Sequence, residues 1–302
     1  MKTGSIRLLF FLLIIHLSPS GAEISCRDEA GRPVDWFVMY KLPKYQIHQA
    51  VGMGLNYMYL DPSTDDWQRS KHLVNTTESA VGRTLQQLYS TYKSKVNDRA
   101  YFIYNDAAPS MPYDMYHGHT KGKQLLYYNP RVYNWSLPDI FLPELSHLQF
   151  VAKGGSVSKS PWKRLTELTS TGGVQFQSFA KYKHFEDDIY AGWVAQTLKT
   201  DLLAETWNGS KHQLPSNCSL PKHVYNIVRI KLPGPVLFYS SNDHSKWCVS
   251  LGHDEGWTCI GDLNRTFGQM GRSAGLLCTR HPAIHRAFRR SVSWYENCTG
   301  TQ

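Results

Sequence analysis

The six cysteines of this 302-residue chain (Cys26, Cys218, Cys248, Cys259, Cys278 and Cys298) form no C-x-x-C pair, so the spacing argues against a structural zinc site. Long apolar runs are missing too. Leu8 to Leu17 is too short for the ~20 residues a membrane-spanning helix needs, and no later stretch is longer. Acidic side chains are outnumbered, 24 against 33 Lys and Arg. They are dense only at Glu186, Asp187 and Asp188, which suits a helix N-terminus better than a set of metal ligands. No low-complexity tract or long linker interrupts the chain, which favours packed structure over disorder.

What is present begins with a targeting segment. Lys2 and Arg7 precede the apolar run, and Ser20 and Ala22 supply small residues for cleavage after Ala22, so residues 1–22 read as a signal peptide. A secretory route predicts disulfides and glycans. Five of the six cysteines lie in the last third, which marks the C-terminal half as the stapled one. An even count permits complete pairing, a Cys26 to Cys248 bridge included. Sequons open at Asn75, Asn134, Asn208, Asn217, Asn264 and Asn297. The net charge of +9 falls to +7 without Lys2 and Arg7. Many secreted proteins are mildly basic for no specific reason, but the histidines would add charge in an acidic compartment and draw a polyanion such as DNA or RNA.

Runs rich in β-branched and aromatic residues predict strands at Val34 to Lys41, Leu55 to Leu60, Tyr101 to Tyr104, Val174 to Phe179 and Val224 to Leu232. Val81, Leu85, Leu88 and Tyr92 recur at helical spacing, and Ile189, Trp193, Gln196 and Leu203 are placed in a second helix after the acidic cluster. The alternation argues for a mixed α/β fold. A glycine, serine and proline-rich stretch, Lys153 to Pro161, reads either as a linker between halves or as a surface loop.

Two His-x-Lys tripeptides carry the chemistry: His119-Thr120-Lys121 in GHTKG and His244-Ser245-Lys246 in DHSKW. With this many histidines and lysines about one match is expected by chance, so placement counts for more: one falls in each proposed half. A neutral imidazole can attack phosphorus, a protonated one can give its proton to the leaving alkoxide, and lysines can neutralise the non-bridging oxygens. Such a phosphodiesterase requires no metal. The nine tryptophans read as core rather than base-stacking platforms, and Arg286, Arg289 and Arg290 as a solvated helix face rather than phosphate contacts.

The strings VDWFVMYKLP, AVGRTLQQLY, YFIYND, GHTKG, FQSFAK, FEDDIYAGW, LPSNCSLP, DHSKWCVS and WTCIGDLNR, in this order, resemble the deoxyribonuclease II family, and LPSNCSLPKHVYNI is similar to its beta branch. The resemblance implies an acid endonuclease, working without metal or other cofactor in lysosomes reached by the secretory pathway, that cuts DNA, double-stranded included, and leaves 3'-phosphate ends. It also implies a phospholipase D-like pseudo-dimer, with halves at residues 23–152 and 153–302 whose His-x-Lys motifs face one another. His119, Lys121, His244 and Lys246 match the catalytic motifs, and Asn264 in GDLNR resembles the asparagine that follows the second motif, where a glycan would block the site. No membrane anchor is implied. The family pattern pairs Cys218 with Cys298 and Cys259 with Cys278, and leaves Cys248 free.

The departure from the family begins after GHTKG. Similar proteins continue for several dozen residues, with another strand, a His-Ser segment and a cysteine, before a segment like KQLLYYNPRVYNW; here Gly122 runs directly into Lys123. An absent block leaves the first half incomplete, with unpaired edges, exposed apolar surface and Cys26 without its usual partner. Two rival readings follow: a glycoprotein of the same family that binds DNA without turning it over, and a different secreted phosphodiesterase using the same histidine pair.

Overall fold

The computed structural model describes residues 24–44, 46–47, 50–51, 53–94, 99–104, 125–209, 211–298 and 300–301. The signal peptide, His119, Lys121 and the Gly122–Lys123 junction lie outside the described residues.

Mixed α/β structure is what the described residues form, centred on one ten-stranded sheet. Its order is Lys163–Thr169, Gln175–Lys181, Ala274–Thr279, Thr258–Gly261, Trp247–Ser250, Leu202–Glu205, Val224–Leu232, Val292–Asn297 and Gly300–Thr301, with Val236–Tyr239 also paired to Val224–Leu232. Every pairing is antiparallel except that of Leu202–Glu205 with Val224–Leu232. Side chains two apart on a strand share a face, and this period sorts the core onto both sides of the sheet. Leu203, Trp247 and Val249 enter one apolar cluster; Leu202, Ala204 and Cys248 enter the other. The second face is covered by the helical segment Ile189–Leu198, the first by the helix Pro282–Ser291 through Ile284, Ala287 and Phe288.

The first face also receives a small sheet from the start of the chain, in which Tyr57–Leu60 lies between Val38–Lys41 and Gln68–Arg69. In register, Val38 faces Leu60 and Tyr40 faces Met58, and these four turn toward the large sheet. The intervening Met39, Tyr57 and Tyr59 pack in a separate cluster with Ala80. Each fully buried Leu or Met contributes about 1.5–3 kcal/mol, so the alternation fixes the register strongly.

Three sequence expectations need adjusting. The run Val34 to Lys41 divides into Pro33–Val34 and Val38–Lys41, and the strand predicted from Leu55 begins at Tyr57. Leu203 is not helical: α-helix ends at Leu198, and Leu203 is the second residue of a fully buried strand. Its helical spacing from Gln196 was accidental, because a strand covered on both faces is apolar throughout and carries no period of its own. Asp188 does cap the helical segment that starts at Ile189, its side chain accepting from the Tyr190 amide, while its other carboxylate oxygen binds Arg265 at 2.9 Å. Lys153 to Pro161 joins the helix Leu142–Ala152 to the strand Lys163–Thr169.

Disulfides join Cys218 to Cys298 and Cys259 to Cys278, while Cys26 and Cys248 are free. Cys26 is half-buried, and burial together with the charge of Asp35 raises its thiol above the usual range. Cys248 is fully buried, and burial raises its thiol further. Iodoacetamide should therefore label Cys26 slowly in the native protein, and unfolding without reductant should add Cys248 alone. Peptide mapping that finds Cys26 in a quantitative bridge would refute the orphan thiol.

Exposed apolar side chains are unevenly distributed. Of the thirteen large exposed hydrophobics among the described residues, ten fall before residue 153, including Leu85, Tyr89, Tyr92, Tyr133, Trp135, Ile140 and Phe150. The helix Ala80–Ser94 and the two-stranded sheet of Tyr101–Tyr104 with Val132–Ser136 thus carry apolar surface that the described structure leaves uncovered. No helix among the described residues is long and apolar enough to cross a membrane.

Candidate active site

His244 and Lys246 sit where a short 3₁₀ turn, Ser240–Asn242, hands the chain to the buried strand Trp247–Ser250. The cleft beside them has a volume of about 530 Å³, and its opposite wall comes from the N-terminal sheet, with Tyr40, Lys41 and Lys44 among its lining. Strand alternation explains this lining. Tyr40 turns inward with Met58 while Lys41, next along, is exposed.

A buried network fixes the loop. Tyr40 donates to Asp243 Oδ2 at 2.5 Å and lies 2.9 Å from Ser245 Oγ; the Ser245 amide donates to Asp243 Oδ1 at 3.1 Å, and Trp247 Nε1 donates to Tyr40 at 3.2 Å. Both residues that flank His244 are held from a strand some two hundred positions earlier. The Asp243 oxygens are thereby engaged by the tyrosine, the serine hydroxyl and a backbone amide. Lys246 donates from Nζ to the His244 carbonyl. The cations beside His244, with partial burial leading, set its acidity: burial, Lys246 and Lys41 lower its pKa below the ordinary imidazole value, and Asp243 opposes them.

Behind the loop lies a second carboxyl group. Glu205 is fully buried, and desolvation followed by the nearby Asp243 charge raises its pKa well above the usual carboxylate range. Its Oε1 accepts from Ser240 Oγ at 2.7 Å and from the Trp207 amide at 3.2 Å. Trp207 is half-buried and stacks on His244, with ring centroids 4.4 Å apart and planes 28° from parallel. Its backbone φ is +58°, an arrangement costing on the order of 1–3 kcal/mol for a bulky residue.

The sequence-predicted residues fare differently. His244 and Lys246 meet at the cleft; His119 and Lys121 lie outside the described residues. Asn264 does not line the cleft. It follows the strand Thr258–Gly261, with its amide bound to Gln269 Oε1 at 2.6 Å and its Oδ1 buried, in a small recess beside Arg265 and Asp188. The arginines of helix Pro282–Ser291 are occupied: Arg286 with Asp65, Arg290 with Asp66, Arg289 with the Leu251 carbonyl. Asn208 donates its amide to the Ile227 carbonyl at 2.7 Å, a bond a glycan would have to break, whereas Asn75 and Asn134 are exposed. Sequence reasoning missed Tyr40, Asp243, Glu205 and Trp207. Only the aspartate next to His244 left any signal.

The family model described as Deoxyribonuclease II matches residues 25–123 and 122–298. Deoxyribonuclease-2-beta of Homo sapiens is 42% identical over 356 aligned positions, covering 99% of this chain and 99% of that protein. Deoxyribonuclease-2-beta of Mus musculus is 40% identical over 345 positions, covering 96% and 97%, and deoxyribonuclease-2-alpha of Mus musculus 34% over 347, covering 95% and 97%. The human alignment spans more positions than the 302 residues of the chain, and the family match divides at residues 122–123.

Proposed function

The chain belongs to the deoxyribonuclease II family of DNA-hydrolysing enzymes, and from this premise we propose an acid endonuclease that cuts DNA without metal, by two histidines, and leaves 3'-phosphate ends. One observation carries the proposal: His244 and Lys246 line a single cleft with Lys41 and Lys44, so that a nucleophile and several cations converge where a phosphodiester can enter. The lowered pKa of His244 favours the neutral imidazole, which attacks phosphorus. The bond to the 5'-oxygen breaks, and the leaving alkoxide takes a proton from His119, the partner that the family resemblance supplies. Water, deprotonated by the same His119, then displaces His244 from phosphorus, leaving the phosphate on the 3'-oxygen. Lys121, two residues from His119, and Asn264, which does not line the cleft, are assigned to the site by the family resemblance alone.

The donor chemistry of the cleft supports the metal-free reading. Among the described residues its one lining carboxylate, Asp243, is bound by Tyr40 and Ser245, and the other charged groups there are cationic. Two halves meeting at this cleft, residues 23–152 and 153–302, follow from the same reading, as do delivery to the lysosome through the secretory pathway and double-stranded DNA as substrate. Digestion of duplex DNA should peak in acid, since His119 must be protonated while His244 stays neutral, a combination available somewhat below the imidazole pKa of about 6.5. It should persist in excess EDTA at pH about 5. Loss of cleavage in the chelator refutes the metal-free route.

A further inference from the structure

We propose that Trp207 is a positioning residue for the imidazole of His244, a role that rests on the assignment of His244 to the reaction above. Trp207 brings no proton-transfer group to the cleft, yet five separate features hold its indole against one face of that ring. Its amide donates to the buried Glu205 carboxyl group, and its Nε1 donates to the Ser241 carbonyl at 3.0 Å. The next residue is pinned on both sides. Asn208 donates its side-chain amide to the Ile227 carbonyl at 2.7 Å and accepts from Gln213 at 2.5 Å. Gly209 makes the room, because a Cβ there would lie 2.6 Å from Trp207 Nε1 and 2.7 Å from Cε2.

The positive φ of Trp207 completes the set. A bulky side chain persists in the left-handed region only where its surroundings over-determine it, and such strain gathers at working sites. His244 needs such a partner. Its side chain is exposed at the cleft wall, and no hydrogen bond to either ring nitrogen fixes its orientation among the described residues. A stacked indole immobilises the imidazole plane without occupying a ring nitrogen, so both remain available for phosphorus and for a proton. Ser240 ties the parts together. Its hydroxyl donates to Glu205 and accepts from the Asn208 amide, so the residues just ahead of His244 and the Trp207 loop move as one piece.

The test combines NMR of the histidine ring with steady-state cleavage of duplex DNA, for the full chain and for Trp207→Ala, Trp207→Phe and Gly209→Ala. The indole should displace the His244 ring-proton resonances upfield. That displacement should vanish in Trp207→Ala and survive in part in Trp207→Phe. We expect kcat to fall about tenfold or more in Trp207→Ala, with KM changed less than about twofold and Trp207→Phe recovering most of the loss. Gly209→Ala should reproduce the loss by pushing the indole aside, which keeps the proposal testable if Trp207→Ala fails to fold. Undisplaced His244 resonances in the unaltered chain, or an unchanged kcat once stacking is gone, overturn it. An unaltered chain that leaves DNA uncut overturns the proposed reaction instead; the NMR arm alone then decides whether the clamp exists.

Discussion

Alanine in place of His244 or Lys246 should lower acid DNA cleavage by on the order of a hundredfold or more, while His253→Ala stays within about threefold of the unaltered chain. All three residues lie within ten positions of one another, so the contrast separates the motif from its neighbourhood. His244 and Lys246 line the cleft, and their backbone is fixed by the Tyr40, Asp243 and Ser245 bonds. His253 sits in the turn beyond the strand, edge-on to the buried His285 at 5.9 Å, and does not line the cleft. On the proposed mechanism, loss of His244 removes a reacting group, and loss of Lys246 removes a charge that stabilises the non-bridging oxygens. Both should act on kcat more than on binding, because phosphate contacts are spread over a cationic surface. Equal, mild effects from the three substitutions would reduce the HSK sequence to coincidence.

Restoring the several dozen family residues after Gly122 from a close relative should raise the cleavage rate by on the order of a hundredfold, with a much smaller change in salt-dependent DNA binding. A displacement of about 1 Å at a reacting group costs that much in rate. On the reading that a block is absent here, the gap adjoins GHTKG in the sequence and bears directly on His119 and Lys121. Three observations support the reading. The family match divides at residues 122–123, the alignment to a relative outruns the chain, and exposed apolar side chains crowd the part before residue 153. Cys26 supplies a second readout: since the family resemblance implies a partner cysteine in such a block, the restored chain should bury the Cys26 thiol in a disulfide. If the short and restored chains cut DNA equally fast, the block is dispensable and the proposed impairment is wrong. If both bind DNA and neither cuts it, the DNA-binding rival stands.

What could be read from the residues divides along a physical line. Val224–Leu232 and Tyr101–Tyr104 match the sequence runs at both ends, because β-branched and aromatic residues fill them and turn formers or charge interrupt them. The helix Ala80–Ser94 showed itself through Val81, Leu85, Leu88 and Tyr92, although the spacing could not reveal that Leu85 and Tyr92 stay exposed. The His-x-Lys pair was visible because both partners lie two residues apart. Its supports were not, since the Tyr40 to Asp243 bond crosses 203 positions and no local pattern encodes it. Trp207 was assigned to the core with the other tryptophans, and Trp36, Trp67, Trp193 and Trp247 do lie there. Its different fate depends on the Glu205 carboxyl group and on Gly209, whose meaning appears only once the loop has its shape.

Among the described residues, the cluster that joins the small N-terminal sheet to the large one draws its buried members from positions 36–67 and 203–288, with none from the stretch between. Chain order and structural dependence therefore part company. The opening residues of the folded protein are tied to its closing ones through this cluster, while the strands and helical segment of residues 163–198 serve one end of the large sheet and its other face. Loss of either end of the chain should therefore open this cluster and with it the HSK cleft, whose walls come from both ends.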